Sequence, residues 1–598
     1  MCGYLGHISK NSINDIDYNK TNEQLICRGP DEKKEIIKDK NHERDLLSYC
    51  LIFNRLAIID LSDLASQPMS SKEFGTELVF NGEIYNHAEL REQLQKKGIK
   101  FFSNHSDTEG VLNGLSYYGK KFLNKMIGQF SPVFIDNKNG NILMARDRLG
   151  QKPLFYSFNN SDLFFASNLQ VVSDISKNTD VDFSSINQYL KFNVVPAPKT
   201  IYKNIFKMLP GEVIEFNFKN PELKPVSEFY WSPLDHVEDK KFEQDVFDDL
   251  LNDSLKIRME ADVPIATFLS GGIDSTSIVK RQLDIGISPN TFSVGYQDNK
   301  YDESKWFNLV AEKYNTNHVV VNLKNKIETQ DIFSAIESLD EPYSDPSILP
   351  SFLISREISK YYKVAISGDG GDELFGGYKR TQLTLNRNIM PFSDMLFKLY
   401  PSFLGTGSLF KSRSKNMKKA YSSFLEDEKL MKLLGHNNEN RFDLYFENQE
   451  NENISDFKNL LLSDYKFYLP EMMMLKIDRT SMANSLEVRS PYVDHRLIEY
   501  ILGHDTKTTE NFLGKKYLKD YLKTDFEDNF LNREKMGFVF NVENFIYSNK
   551  TFVTDLLVKS DFLNNRKFQK LFFYKSRINA NRLWKLLTLE IFLNKKEN

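Results

Sequence analysis

Val263-Pro264-Ile265-Ala266-Thr267-Phe268-Leu269-Ser270-Gly271-Gly272-Ile273-Asp274-Ser275 runs a mostly apolar stretch into a pair of glycines. An apolar run of strand length closed by such a turn predicts a buried strand, and Ser275 to Leu283 reads as the helix that follows. Glycines let a backbone approach phosphate closely, and a helix N-terminus favours negative charge. Ser270 and Ser275 can donate hydroxyls, and Asp274 can hold a Mg²⁺. The Gly-Lys-Ser/Thr ending of a Walker loop is absent. On its own the motif also fits a plain strand-to-helix turn.

Downstream, strands are expected at Thr291–Tyr296, His318–Leu323 and Lys363–Ser367. Helices are expected between them at Ser304–Tyr314 and Ser351–Tyr361. That alternation predicts parallel βαβ units. Ser367-Gly368-Asp369-Gly370-Gly371-Asp372-Glu373 is a second glycine-rich, acidic loop behind a strand. Both loops then leave the carboxyl ends of strands in one sheet, where open α/β sheets bind ligands. Acid-bearing glycine loops in that position point to nucleotide and Mg²⁺.

Upstream, residues 1 to about 170 read as β-rich with helices at His87–Lys97 and Asn104–Tyr118. Short strands are expected at Leu51–Phe53, Leu56–Ile59, Leu78–Phe80, Phe130–Ile135, Ile142–Ala145, Leu154–Tyr156 and Leu163–Ala166. Asn81-Gly82 reads as a turn closing Leu78–Phe80. Prolines 196, 198, 210, 221, 225 and 233 punctuate residues 185–235, so the domain join is placed there. Residues 380–598 read as mostly helical. Lys411–Lys419 reads as a solvated basic surface, and Met472–Met474 as core packing.

Of 598 residues, 78 are Lys or Arg and 82 are Asp or Glu, a formal net charge of −4. No global positive field favours nucleic acid. No apolar run reaches membrane-spanning length. The start resembles no signal peptide, and the odd set Cys2, Cys27 and Cys50 has no CxxC spacing, so neither a disulfide framework nor a zinc site is indicated. A cytoplasmic setting is expected.

Cys2 precedes Gly3, so removal of Met1 would leave a thiol and a free α-amine on one residue. An α-amine titrates near 7.7–8, which suits a general base for that thiol. The side-chain amide and turn N–H of Asn81-Gly82 can form an oxyanion hole; a plain hairpin turn is the alternative. Arg55, flanked by apolar residues, needs an anion, either a substrate carboxylate or a structural partner. Asp107 can hold a substrate ammonium or cap its helix.

Cys2-Gly3, Arg28-Gly29-Pro30-Asp31, Arg55 to Asp60, Gln67-Pro68-Met69, Asn81 to Asn86, Ser106 to Glu109 and Arg146 to Gly150 together resemble the class II glutamine amidotransferase domain. The resemblance implies an αββα sandwich of the N-terminal-nucleophile type that hydrolyses glutamine. Cys2 would form the thioester, with Asn81 and Gly82 as oxyanion hole. Arg55, Leu56, Ala57, Ile58, Ile59, Asn81, Gly82, Glu83 and Asp107 would surround glutamine.

The second half resembles the ATP-pyrophosphatase domain of the asparagine synthetase family. The matching stretches are Ser270–Ser275, Tyr301–Ser304, Leu339–Pro342, Asp345–Ser347, Ser367–Tyr378, Lys476–Arg479, Ser481–Ala483, Glu487–Pro491, Asp494–Arg496 and Lys535–Phe538. The Pro196–Pro198 and Leu209–Gly211 join is similar too. The implied α/β fold has a parallel sheet and a largely helical C-terminal part. Implied divisions are 2–215 for the glutaminase, 216–240 for a linker and 241–598 for the synthetase.

The implied reaction adenylates a carboxylate with ATP and Mg²⁺, and ammonia passed internally displaces AMP. Leu269, Ser270, Gly271, Gly272, Asp274, Ser275, Val294, Ser367 and Gly368 would meet ATP. Asp274 and Asp372 would hold Mg²⁺, and Asp369 and Lys535 would be catalytic. The leading expectation is a glutamine-hydrolysing asparagine synthetase. The alternatives are amidation of a sugar uronic acid in surface-polysaccharide biosynthesis and an inactive glutamine or nucleotide sensor. A homodimer is one open assembly. Relatives often continue Gly-Val-Pro after the lysine segment; here Val539-Phe540-Asn541 follows, which leaves the acceptor open.

Overall fold

The computed structural model describes residues 2–13, 16–39, 47–220, 222–295, 302–322, 329–435, 454–505, 512–533, 540–560, 562–563 and 566–594. Its first strands are β1 (Gly3–Ser9), β2 (Glu32–Lys38), β3 (Ser48–Arg55), β4 (Met69–Ser71), β5 (Thr76–Ile84) and β6 (Gly128–Asp136). They continue with β7 (Asn141–Ala145), β8 (Phe155–Phe158), β9 (Asp162–Ala166), β10 (Phe206–Lys207), β11 (Glu212–Asn217) and β12 (Val226–Phe229). These form two six-stranded antiparallel sheets, in the orders β10-β8-β9-β1-β3-β2 and β12-β11-β7-β6-β5-β4.

Strand alternation explains why both faces of these sheets are apolar. Tyr4, Ile8, Leu51, Phe53, Val79, Val133 and Ile135 meet between the sheets. Leu5, Cys50 and Ile52 point the other way, onto the helices Leu169–Ser176 and Phe183–Phe192. Leu78, Phe80 and Phe134 face the helices His87–Gln95 and Asp107–Tyr118. The layering is αββα. Strand β12 falls inside the stretch read as a linker and extends the second sheet.

Two local expectations are corrected. Asn81-Gly82 is no turn: β5 continues to Ile84, pairing Asn81 with Ser131 and Gly82 with Phe130. A Cβ on Gly82 would lie 2.2 Å from Gln129 O, so here glycine permits close strand contact. Leu56–Ile59 is no strand. It is a loop beyond β3, whose Leu56 and Ile58 pack against Val364 and Met482 from the second half.

Strands β13 (Ile265–Phe268), β14 (Asn290–Gly295), β15 (Asn317–Asn322), β16 (Val364–Ile366) and β17 (Glu487–Arg489) build a parallel sheet in the order β15-β14-β13-β16-β17. The helices Ile273–Asp284, Ser304–Tyr314 and Ile348–Ile358 lie between its strands in sequence. Strand β17 sits in a region read as helical; three residues are too few to show a period.

The remainder is mostly helical, and Trp584 of the helix Arg577–Asn594 is fully buried. Met472 and Met474 lie in cores, as expected. Lys411 corrects the solvated-surface expectation: it is buried and paired with Glu426 at 2.9 Å and Glu428 at 2.7 Å. No described helix is long and apolar enough to cross a membrane.

Candidate active sites

Cys2 opens β1, buried beside the end of β3. Its backbone N donates to Asn81 Oδ1 at 3.0 Å, which fixes the amide's direction and leaves the buried Asn81 Nδ2 without an acceptor among the described residues. An unpaired buried donor is costly unless a ligand takes it. Burial pushes the Cys2 thiol up, while the Leu56 N–H and the Arg55 charge favour its thiolate.

Arg55 donates to Ser62 O at 3.0 Å, lies 3.4 Å from Glu32, and also holds Asp60 O. It therefore shapes the Leu56–Asp60 loop, and Ala57 N donates to Asp31 at 2.7 Å. Glu83 and Asp107 come together at the end of β5, where Asp107 Oδ2 accepts from Ile84 N at 3.1 Å. Ser106, not Asp107, caps the following helix, because its side chain accepts from Glu109 N. Burial raises the Asp107 carboxyl, and His87 opposes that rise. Burial and then the Asp107 charge push Glu83 well above the usual carboxylate range, and Glu83 Oε1 has no hydrogen-bond partner among the described residues. Two buried, mutually repelling carboxyls make a receptor for an ammonium group.

At the other sheet, Ser270 and Ser275 close a small ring. Ser270 N donates to Ser275 Oγ at 3.2 Å, and Gly272 N donates to Ser270 Oγ at 3.2 Å. The helix Ile273–Asp284 starts without a side-chain cap, so its first N–H groups face this loop. Leu269 and Val294 are buried beneath it. Gly271 has φ 72, and a Cβ there would meet Phe307 N at 2.6 Å.

The Ser367–Asp372 loop abuts the first. Cβ atoms on Gly368 and Gly371 would lie 3.0 Å from Ser275 N and 2.7 Å from Asp274 Oδ1. Ser367 Oγ donates to Asp369, which is half-buried. Between the loops stands Lys515, whose Nζ lies 2.5 Å from Asp274 Oδ2 and 2.7 Å from Asp372 Oδ1. Gly377 makes room for it, since a Cβ there would meet Lys515 Cε at 2.2 Å. The two carboxylates thus already face a cation, and two acids beside a phosphate cradle fit Mg²⁺.

The sequence reading missed Lys515. The only local signal is its Gly514 neighbour: both residues are left-handed, at φ 71 and φ 63, a strain often found at functional sites. Burial and then the Asp372 charge push Glu373 up to about 7. Lys535 lies outside the described residues. Arg533, the last described residue before it, donates to Gly271 O at 2.7 Å.

Charged side chains seal the seam between the halves. Arg28 contacts Cys2 O at 3.3 Å and grips Asp478 twice, at 2.9 and 3.2 Å. Lys152 joins Asp478 at 3.3 Å. Burial opposes the Asp478 charge, but Arg28, Lys152 and Arg479 outweigh it and hold the carboxyl far below its usual range. Arg479 reaches Asp340 at 2.7 Å, and Lys207 bridges Glu341 and Glu471 at 2.7 and 2.8 Å. The motifs containing Arg28, Asp340, Glu341, Asp478 and Arg479 thus meet here, a role their spacing did not disclose.

An N-terminal-nucleophile sandwich fused to a parallel-sheet nucleotide fold, with these two residue sets, defines a glutamine-type amidotransferase ligase. The chain belongs to the asparagine synthase family: that family's model matches residues 246–594, and a glutamine amidotransferase domain model matches residues 1–231. Asparagine synthetase [glutamine-hydrolyzing] 1 of Bacillus subtilis is 30% identical over 570 residues, covering 90% of this chain and 87% of that protein. Asparagine synthetase [glutamine-hydrolyzing] 3 of the same organism is 26% identical, covering 90% and 86%. Amidase chyE of Penicillium rubens is 24% identical, covering 95% and 89%. Among solved structures, one titled "Structure of the allosteric regulatory enzyme of purine biosynthesis" aligns at a TM-score of 0.28 and 13% identity, over 53% of this chain and 80% of that one. That superposition is too loose to add to the fold.

Proposed function

We propose that this enzyme is a glutamine-hydrolysing asparagine synthetase with a glutaminase division at 2–215, a linker at 216–240 and a synthetase division at 241–598. The observation that carries the reading is the seam: Arg28 ties the backbone of Cys2 to Asp478 in the second half. A buried junction of this kind suits ammonia that never meets bulk water, where it would be mostly protonated and unreactive.

In the glutaminase half, the α-amine freed by loss of Met1 takes the Cys2 thiol proton. The thiolate attacks the glutamine carboxamide, and the oxyanion takes hydrogen bonds from Asn81 Nδ2 and Gly82 N–H. Glu83 and Asp107 hold the ammonium of glutamine, and the Arg55–Ile59 segment holds its carboxylate. Ammonia leaves, and water hydrolyses the thioester.

In the synthetase half, the aspartate side-chain carboxylate attacks the α-phosphorus of ATP, and the bond to pyrophosphate breaks. Ser270, Ser275 and the open helix N–H groups grip the leaving pyrophosphate. Leu269, Val294, Ser367 and Gly368 position the nucleotide. Asp274 and Asp372 would hold Mg²⁺, which neutralises polyphosphate charge. Lys515 adds positive charge beside the leaving group, Lys535 would neutralise charge on the pyrophosphate, and Asp369 serves adenylation. Ammonia then attacks the acyl carbon and AMP departs. Three cysteines without CxxC spacing suit a reducing cytoplasm.

The test uses full-length protein with ATP, Mg²⁺, amide-¹⁵N glutamine and L-aspartate. Labelled asparagine in step with pyrophosphate is expected. Glutamine hydrolysis without labelled asparagine would refute aspartate as acceptor and make sugar uronates the next substrates to assay.

A further inference from the structure

Arg489 is fully buried on β17, the edge strand of the parallel sheet, yet its guanidinium reaches the other half of the protein. Its Nη2 lies 3.5 Å from Glu83 Oε2, one of the two carboxyls that face the ammonium of glutamine. The rest of the guanidinium is fixed to the synthetase half. Nε donates to Glu487 at 2.6 Å, and Nη1 donates to Arg258 O at 3.0 Å and Glu260 O at 2.6 Å. The main chain of the same residue serves the other site. Arg489 O accepts from Ser367 N at 2.9 Å, and Ile366 and Arg489 are register partners. Ser367 Oγ in turn donates to Asp369 of the adenylation loop.

One residue thus spans the path between the sites. Its contact with Glu83 is also the least satisfied of the set, because neither Nη2 nor Glu83 Oε1 has a hydrogen-bond partner among the described residues. A buried charge pair left short of hydrogen bonds is poised to rearrange when a better partner arrives. The ammonium of glutamine competes with Arg489 for Glu83. The three other anchors mean that a shift of the guanidinium moves β17 rather than a free side chain.

Resting on the glutaminase–synthetase reading above, we infer that Arg489 is a positioning residue coupling glutamine occupancy to the adenylation loop. Its side chain reads Glu83 and its main chain sets Ser367. Coupling between two binding sites is reciprocal, so nucleotide bound at the loops must change the affinity for glutamine by the factor with which glutamine changes nucleotide affinity. A purely structural Arg489 would give no such linkage.

The experiment measures glutamine Kd by titration calorimetry on full-length Cys2→Ala protein, which cannot turn glutamine over. It is run with and without Mg²⁺ and α,β-methylene-ATP, a probe that needs no acceptor. With Arg489 present, the nucleotide should shift the glutamine Kd by about 5- to 150-fold. In Cys2→Ala/Arg489→Lys the shift should fall below about twofold while glutamine still binds. If the lysine variant does not fold, Glu487→Gln, which loosens the Nε anchor and leaves Glu83 in place, should show the same collapse. An equal shift with and without Arg489, or no shift in the parent, overturns the coupling and leaves the glutaminase reading standing. Absence of any glutamine binding to the parent takes down both.

Discussion

Replacing Lys515 by methionine removes a buried cation that contacts both Asp274 and Asp372 and keeps the side chain's length. Lys515 contacts the two carboxylates at 2.5 and 2.7 Å, and the three side chains are only 7%, 16% and 10% exposed. Breaking a buried pair by deleting one partner costs about 3–5 kcal/mol, because the other charge is left uncompensated. Lys515 serves two carboxylates at once, so its loss falls within that range. At roughly 2–4 °C per kcal/mol for a large domain, thermal unfolding in EDTA should begin on the order of 10 °C lower in Lys515→Met. The deficit should shrink on adding Mg²⁺, which should stabilise Lys515→Met more than the wild type. The assay is differential scanning fluorimetry with EDTA or Mg²⁺. Unchanged unfolding in EDTA, or an equal Mg²⁺ response in both proteins, would refute the idea that these acids form a cation site held by Lys515.

Asn81→Ala should lower glutamine-dependent kcat by about 10²–10³ and spare ammonia-dependent synthesis; equal loss with both nitrogen sources would contradict the oxyanion role. Burial holds Glu83 and Asp107 protonated to higher pH than ordinary carboxylates, and an ammonium ligand needs them ionised. Glutamine binding to Cys2→Ala protein should therefore tighten from about pH 5 to pH 8 with release of protons, and a flat calorimetric profile would count against the pair. Glu373 has its carboxyl raised from 4.5 to about 7, so its contribution to stability is full below 4.5 and is lost as pH rises through about 7. Glu373→Gln should thus gain on the wild type by about 3 kcal/mol between those limits, read as diverging denaturation midpoints; parallel midpoints would argue against the buried acid.

The βαβ alternation and both glycine loops were legible in the sequence because strand-length apolar runs and glycine pairs act locally. Strand β17 was not, being a three-residue strand that only its neighbour β16 stabilises. Asn81-Gly82 misled because the dipeptide favours a turn in isolation, and only the closeness of Gln129 O reveals why glycine is needed inside a strand. The Leu56–Ile59 apolar run looked like a strand because its burial comes from Val364 and Met482, more than 300 residues away. Lys515 was invisible for a related reason: a lone lysine carries no periodic signal. Arg489 lies in the matched stretch Glu487–Pro491, but its contact with Glu83 is brought only by the fold. Lys411 shows the converse, since a run of basic residues conceals the one that is buried against two glutamates.

The sealed seam also sets a timetable for synthesis on the ribosome. Arg28 emerges 450 residues before its partner Asp478, and Lys207 emerges 264 residues before Glu471. At about 5–20 residues per second, these cations wait roughly 10–90 s for their counter-charges. The nucleophile half therefore passes through a period in which its inner wall is open to water. On the reading proposed above, ammonia released in that interval would escape to solvent, and a glutaminase that became competent only once the last third of the chain had docked would spare glutamine.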